Sequence, residues 1–568
     1  MPSTSQIRND RTAVAAWTLS VSHPLMTLLV ALWLLLFANL PFWRTVWQGV
    51  EGWDNGNPLF LLSLPLFALC WLYLLLSLLA WGRLTKPVLG AVLLVSAAAS
   101  YFMHSYGIVI DYSMLTNVLQ TDSGEAMELF SGRLVGWLLA VGVLPVLLLS
   151  RLQAPRRRWS RELRVKLVSM LLALACLVGI AMSQYQSYAS LLRNHREVRL
   201  LLTPSNLLAA VHGYVRRELR APQALQVIGG DAHRIAHVGA AIKPRLTILL
   251  VGETARAANF SLNGYARQTN PQLAKAGVIS FSHVSSCGTA TAVSVPCMFL
   301  EVGHDHYDES MARNREGLLD VLQRAGVKVL WRDNNSGCKG ACDRVPSEDV
   351  SHLNVAALCG DGECHDEVLL SGLQDYLDRL TDDAVVVLHM KGSHGPAYFK
   401  RYPAAFARFA PVCRSSELDQ CSTEAIVNAY DNSLVYTDHV LAQTVELLKR
   451  NGQRFDTAML YVSDHGESLG EGGIYLHGLP YAMAPEEQTH IPMLLWLSPG
   501  MERHANLQAH CLEGLEDRAL SHDNLFHSVL GLMAVQTAVY QPERDLFRQC
   551  LAPRQAFEGR AGASGAIN

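Results

Sequence analysis

Four runs of apolar residues in this 568-residue chain end on side chains able to bind a metal or move a proton. RLTILLVGET delivers Glu253. VKVLWRDNNSGCK delivers Asp333, Asn334, Asn335 and Ser336, then Lys339. AVVVLHMKGSHGP delivers His389 and His394, and TAMLYVSDHGE delivers Asp464, His465 and Glu467, with His477 following in LHGLP. Glu, Asp and His are the oxygen and nitrogen ligands favoured by zinc or manganese. One such residue at one strand end is ordinarily a capped turn or a satisfied histidine. Four together point to a shared site. The loop CGTATAVSVPC, Cys287 to Cys297, offers the hydroxyls of Thr289, Thr291 and Ser294. A threonine hydroxyl is a poor nucleophile at neutral pH, but coordination to a divalent metal favours its alkoxide. The plain alternative is a tight turn, and residue types alone leave Thr289 and Thr291 both open.

The elements that must position these groups alternate between two periods. Candidate strands cover 246–251, 327–332, 384–389, 457–462 and 491–497, with helical stretches at 315–325, 365–380 and 424–450. Strands separated by helices predict a mostly parallel sheet covered on both faces. In such a sheet ligands collect at the carboxyl ends of the strands, where the polar residues fall.

Before about residue 185 the chain is a different material, dominated by Leu, Val, Ala and Trp. Uncharged stretches at 23–43, 58–82, 87–103, 134–150 and 167–183 have membrane-spanning length. A signal peptide would account for the first but not for the four that follow. The segment RLQAPRRRWSRELRVK at 151–166 holds seven basic residues and one acid, whereas 106–132 holds Asp111, Asp122, Glu125 and Glu128 and no Lys or Arg. The positive-inside rule then places the amino terminus and 151–166 in the cytoplasm and everything after about residue 184 outside. Of twelve cysteines, ten lie in that outer part. Their even number and spacing suit disulfides in an oxidising compartment better than zinc knuckles. Between the two parts, 184–220 has apolar residues at helical spacing among six arginines, suiting a membrane surface or a packed linker. A net charge of −3 gives no nucleic-acid signature.

The stretches VGETARAANFSLNGYARQTNP, SCGTATAVSVPCMF, DNNSGCKGACDRV, LHMKGSHGPAYFKRYP and YVSDHGESLGEGGIYLHGLPYAMAPEEQTHIP resemble the lipid A phosphoethanolamine transferases, which include the mobile colistin-resistance enzymes. These are membrane-anchored members of the alkaline phosphatase superfamily. The resemblance implies a five-helix transmembrane domain plus an α/β periplasmic domain of alkaline phosphatase-like type. The chain accordingly divides into 1–183 (transmembrane), 184–224 (amphipathic bridging helices) and 225–552 (catalytic), while 553–568, PRQAFEGRAGASGAIN, departs from the family pattern, which assigns it no role, and reads from its small residues as a disordered tail. The resemblance implies one tightly bound zinc, with residues for a second, and the ligand set Glu253, Thr291, Asp464 and His465, Thr291 being the nucleophile. Asn335, Ser336, Lys339, His394 and His477 match substrate or second-metal positions. The bridges it implies are Cys287–Cys297, Cys338–Cys342, Cys359–Cys364 and Cys413–Cys421, leaving Cys511–Cys550. In NVLQTDSGE, Asn117, Thr121 and Glu125 recur every four residues, hence on one helix face, and match positions that hold the ethanolamine end of the donor lipid; without the resemblance they read as a solvated face.

The implied activity is two-step transfer of phosphoethanolamine from phosphatidylethanolamine to a lipid A phosphate by a monomer in the bacterial inner membrane. The product would carry less negative charge and bind polymyxins less well. Four other readings stand beside it. A sulfatase shares the fold but takes its nucleophile from a CxPxR-type motif, absent here. A phosphoglycerol transferase, or a transferase acting on core oligosaccharide, differs in donor or acceptor. A lipid-binding or sensor protein would not need Thr291.

Overall fold

The computed structural model describes residues 19–51, 58–121, 123–155, 158–194, 198–218, 224–235, 243–360 and 362–552; the tail expected at 553–568 lies outside them. The chain divides into two compact units, residues 1–112 with 130–213, and residues 113–129 with 214–568. Residues 113–129 therefore pack with the larger unit, although in sequence they lie between two membrane-length helices.

In the first unit, Pro58–Leu79, Gly82–Tyr106, Gly132–Arg151 and Trp159–Ser183 are long and apolar enough to cross a membrane. The stretch expected as a straight first span is instead bent by 64° between His23–Ala38 and Leu40–Trp47, so there are five spans only if this pair counts as one. The cause is local. Pro41 has no amide hydrogen and disfavours helical geometry just before it. Asn39 leaves the helical region, and its buried side-chain amide donates to the carbonyls of Leu34 and Thr203, each at 2.9 Å, while accepting the Thr203 N–H at 2.7 Å. Among the described residues of 184–220, three helices form, Tyr185–Asn194, Val198–Leu201 and Ser205–Glu218.

The second unit is built on an eight-stranded sheet. Its strands are β1 (Arg245–Gly252), β2 (Ile279–Ser285), β3 (Lys328–Asp333), β4 (Ser347–Asp349), β5 (Ala384–His389), β6 (Asp456–Ser463), β7 (His490–Leu497) and β8 (Leu520–Ser521), in spatial order β8-β2-β7-β6-β1-β5-β3-β4. Every residue of β1 and β5 is buried, which is why these segments read as unbroken apolar runs rather than alternating ones. Along β1, Leu246, Ile248 and Leu250 enter one core while Leu249 and Val251 enter the core on the opposite face.

The sheet is mixed rather than parallel throughout, because β7 runs antiparallel to both β6 and β2. Hydrophobic pattern carries no direction, so the sequence could not reveal this. The physical reason is the connection: residues 464–489 turn back over the carboxyl edge with 3₁₀ turns at Glu471–Gly473 and Tyr481–Met483 and one short α-helix, Glu486–Thr489, where a parallel partner would need a full crossover. The helix expected over 365–380 is also broken. A 3₁₀ turn at Asp366–Leu370 and a helix at Leu373–Arg379 are separated by Gly372, which takes a left-handed conformation at φ 70°.

Register decides where the chemistry arrives. His389 of β5 is level with Val251 of β1 and with Asp333 of β3, and Ser463 of β6 is level with Gly252. Four neighbouring parallel strands thus end in one row, and Glu253 and Asp464 are the next residues off it. Gly252 matters because a side chain there would run into the Tyr461 hydroxyl and ring on β6. Disulfides join Cys287 to Cys297, Cys338 to Cys342, Cys359 to Cys364, Cys413 to Cys421 and Cys511 to Cys550.

Overpacking a filled core costs about 1–3 kcal/mol. Gly252→Ala is therefore expected to lower stability by that amount in denaturant unfolding of the purified protein. Combined with Tyr461→Leu it should cost less than the two single losses added; strict additivity would show that the two positions do not collide.

Candidate active site

Glu253 and Asp464–His465 leave adjacent strands at the same level, and Thr291 comes from a separate element. It is the first residue of α1 (Thr291–Met298), the helix closed by the Cys287–Cys297 bridge. Thr291 Oγ1 lies 3.0 Å from Glu253 Oε2 and 3.3 Å from His465 Nε2. His465 Nε2 is 3.3 Å from Glu253 Oε1 and 3.4 Å from Asp464 Oδ2. Thr289 does not join them, since its hydroxyl donates to the Leu479 carbonyl at 2.6 Å. Ser294 is turned away too, donating to the Asp464 carbonyl.

The surroundings orient each group. His465 Nδ1 lies 2.9 Å from the Gly466 carbonyl, which can only accept, so that nitrogen carries the proton and Nε2 points at Thr291. Asp464 Oδ1 accepts from the Thr254 and His465 amides at 3.2 and 2.7 Å. Thr254 holds a left-handed φ of 52°, a strained state for a β-branched residue. Asn335 Nδ2 donates to Glu253 Oε2 at 2.8 Å and to the Met390 carbonyl at 2.9 Å. Behind it, Asp333 and His389 pair at 2.9 Å. Burial would raise the Asp333 carboxyl, but the His389 charge holds it down at about 2.

Glu253, Asp464 and His465 are all fully buried. Burial alone would raise Glu253, yet the His465 ring 3.3 Å away, with the charges of His394 and His477 adding, holds it below the ordinary carboxylate range. Asp464 is pushed up to about 7 by burial and then by the Glu253 charge. Burial opposes a charged imidazole at His465, but Asp464 and Glu253 overcome it and push that ring up to about 10. This is a concentration of negative charge held out of water, and it fits a cation. Glu253 Oε1 and Asp464 Oδ2 are buried without a hydrogen-bond partner. Glu253, Asp464 and His465 each present a ligand atom within 4.8 Å of the others, and Glu253, His394 and His477 form a second such group. Carboxylate oxygen with imidazole nitrogen is a zinc-type donor set.

The remaining expected residues surround this centre unevenly. The His394 and His477 rings lie 5.7 Å apart, and the His477 ring is 4.3 Å from that of His465. Burial and the His465 charge push His477 down to about 3. Lys339 Nζ donates to Ser336 Oγ and carbonyl at 2.9 and 2.8 Å. Asn335, Ser336 and Lys339 line a cavity of about 700 Å³ beside Ala292, the neighbour of Thr291. Its far wall includes Thr116, Leu119 and Gln120 of the 113–129 segment. That segment is not the single helix expected. It forms Tyr112–Gln120 and Ser123–Glu128, so Asn117, Thr121 and Glu125 do not share one continuous face. The Thr121 hydroxyl donates to the Asn117 carbonyl at 2.8 Å, a local bond of the kind that competes with helix continuation. The side chain of Glu125 lies outside the described residues.

Residues 245–535 match the sulfatase family model, and residues 68–219 match the family described as phosphoethanolamine transferase EptA/EptB. Over 525 residues the chain is 44% identical to phosphoethanolamine transferase EptA of Escherichia coli K12, covering 92% of this chain and 96% of that protein. The chain belongs to the EptA/EptB phosphoethanolamine transferase family. Phosphatidylethanolamine transferase Mcr-1 of Escherichia coli, 40% identical over 530 residues, covers 91% of this chain and 96% of its own. Among solved structures, the integral membrane protein lipooligosaccharide phosphoethanolamine transferase A of Neisseria meningitidis superposes with a TM-score of 0.91 at 38% identity, covering 94% of this chain and 100% of that one.

One contributor was invisible in the sequence of this family member. Arg401 is buried, and its guanidinium donates to the His394 carbonyl at 2.8 Å, to Glu363 at 2.8 Å and to Glu128 at 2.5 Å. It ties the 113–129 segment to the loop that carries His394. An arginine in KRYP reads from sequence as a surface charge, and only the fold brings Glu128, 273 residues away, against it.

Replacing one of two close carboxylates should act with opposite sign with and without metal. Asp464→Asn is expected to unfold at higher temperature than wild type in chelator, where the Glu253–Asp464 repulsion is relieved. With zinc added it should unfold at lower temperature and retain less zinc by elemental analysis. A variant as stable and as fully loaded as wild type in both conditions would remove Asp464 from any metal site.

Proposed function

We propose that this chain transfers phosphoethanolamine from phosphatidylethanolamine to a phosphate of lipid A on the periplasmic side of a bacterial inner membrane, with Thr291 as the nucleophile. The observation that carries the reading is the position of the Thr291 hydroxyl, 3.0 Å from Glu253 and 3.3 Å from His465, beside two buried carboxylate oxygens that lack hydrogen bonds. The donor follows the names of the similar proteins, and the acceptor follows the motif resemblance. The five disulfides suit an oxidising compartment.

Glu253, Thr291, Asp464 and His465 would hold a zinc ion, and Glu253, His394 and His477 offer ligands for a second. Bound zinc supplies Lewis acidity that favours the ionised threonine and neutralises charge on the phosphoryl oxygens. The chain's own residues do the rest. Asn335 holds Glu253 in place, and the Gly466 carbonyl fixes the His465 ring. Thr291 Oγ attacks the donor phosphorus; the bond from phosphorus to the glycerol oxygen breaks, and diacylglycerol leaves carrying the proton the threonine gave up. Phosphoethanolamine remains on Thr291 as a phosphodiester. A hydroxyl oxygen of the lipid A phosphate then attacks the same phosphorus, the Thr291 bond breaks, and the threonine oxygen takes the proton that the attacking phosphate gives up. The first turn of α1 favours the negative charge that gathers at phosphorus. Lys339 and Ser336 stand on the wall of the adjoining cavity, where a donor headgroup has room. Product lipid A carries one more cation, which weakens electrostatic attraction to polymyxins.

Lipid A extracted from cells expressing the intact protein should gain the mass of one phosphoethanolamine group. Thr291→Ala should abolish that gain, a loss of about a thousandfold or more in rate, whereas Thr289→Ala should retain transfer because its hydroxyl serves a backbone carbonyl. An unmodified lipid A with the wild-type protein, or transfer surviving in Thr291→Ala, would refute the reading.

A further inference from the structure

The loop that carries Thr291 and the strand that carries Asp464 are joined through a residue that neither contains. His522 precedes the helix Asp523–Leu532 and is 1% exposed. Its Nδ1 lies 3.0 Å from the Cys287 amide nitrogen, and its Nε2 lies 2.9 Å from the Ser463 carbonyl oxygen. An amide can only donate and a carbonyl can only accept, so the pair dictates one tautomer: Nδ1 bare, Nε2 protonated. A charged ring would lose the Cys287 bond. The environment keeps it neutral: burial, with a contribution from the His465 charge, pushes His522 down to about 4 against the Ser463 hydrogen bond. The ring backbone is itself anchored, its amide donating to the Ser285 carbonyl at 3.1 Å. Ser294, on α1 one turn beyond Thr291, supports the same junction by donating to the Asp464 carbonyl, and its Oγ lies 3.3 Å from His522 Nδ1.

Resting on the transfer reading above, we infer that His522 is a positioning residue: as a neutral imidazole it clasps the Cys287–Thr291 loop to the Ser463–Asp464 strand end and so fixes the Thr291 hydroxyl against Glu253 and His465. The clasp is needed because the two groups it aligns come from separate chain segments. The Cys287–Cys297 bridge closes the loop on itself but does not attach it to β6. Ser463 also uses its hydroxyl to receive the Ala255 amide at 2.8 Å, so β6, the turn after β1 and the nucleophile loop meet within one residue of the site. A misplacement of about 1 Å at a reacting group costs on the order of a hundredfold in rate.

The test uses the full-length protein in detergent with phosphatidylethanolamine and lipid A. His522→Ala removes both bonds, His522→Asn keeps an acceptor near the Nδ1 position, and His522→Gln keeps a donor near Nε2. His522→Ala is expected to lower kcat by about tenfold to a hundredfold, with KM for the donor lipid within about twofold of wild type and zinc content unchanged. His522→Asn should recover part of the loss. Hydrogen exchange followed by mass spectrometry should show faster exchange over 285–297 in His522→Ala than in wild type, and intermediate exchange in His522→Asn. Wild-type kcat in a folded His522→Ala, a loss confined to KM, or a loss matched by missing zinc would each overturn the inference. If His522→Ala fails to fold, equal kcat and equal exchange in wild type, His522→Asn and His522→Gln would overturn it. Wild-type protein that transfers nothing would refute the transfer reading, while the exchange pattern would still decide whether His522 holds the loop.

Discussion

The structure turns on two carboxylates, Glu253 and Asp464, kept out of water within reach of one threonine hydroxyl. Burying two like charges together is costly, and a chain does not collapse around them unless other parts hold them there. Here the holding is backbone and side-chain hydrogen bonding from four directions: the Thr254 amide and the His465 amide on Asp464, and Asn335 and Thr291 on Glu253. Burial and then the Glu253 charge lift Asp464 to about 7, while at His465 the two carboxylates overcome burial and lift the ring to about 10. A site this charged and this fixed is prepared for a cation, which is why the metal reading and the nucleophile reading stand or fall together.

Precision at the centre is borrowed from the sheet. Four adjacent parallel strands end in register, so a one-residue slip in any of them would move its polar residue to the other face. Rigid elements place side chains more accurately than free loops, and the Cys287–Thr291 loop is closed by a disulfide and hydrogen-bonded to His522, which also meets the Ser463 carbonyl. The more distant 113–129 segment is held by charge instead: Glu128 pairs with both Arg401 and Lys400. That segment lies between membrane-length helices in sequence and lines the cavity beside Ala292, the neighbour of Thr291.

Much of this was legible without coordinates. Apolar runs in β1, β3, β5 and β6 ended where polar residues clustered, because strands buried on both faces carry few polar positions to blur their limits. The strands that escaped notice, β2, β4 and β8, are half-exposed or short, and so carry no such contrast. The bend at Asn39 and the break between Gln120 and Ser123 were missed for a related reason: a side chain capturing a backbone group leaves no periodic signal.

By itself the sequence determined which materials the chain is made of and where the main strands end, and it singled out Glu253, Asp464, His465 and the threonines of CGTAT as candidates for one site. Only the tertiary structure decided that β7 runs backwards, that Thr289 faces the Leu479 carbonyl while Thr291 faces Glu253, that Arg401 meets Glu128, and that His522 lies between the Cys287 amide and the Ser463 carbonyl. The reason is physical. Strand limits follow from burial, which is written residue by residue, whereas direction and hydrogen-bond partnership are settled between groups that may lie hundreds of residues apart, and meet only when the chain has folded.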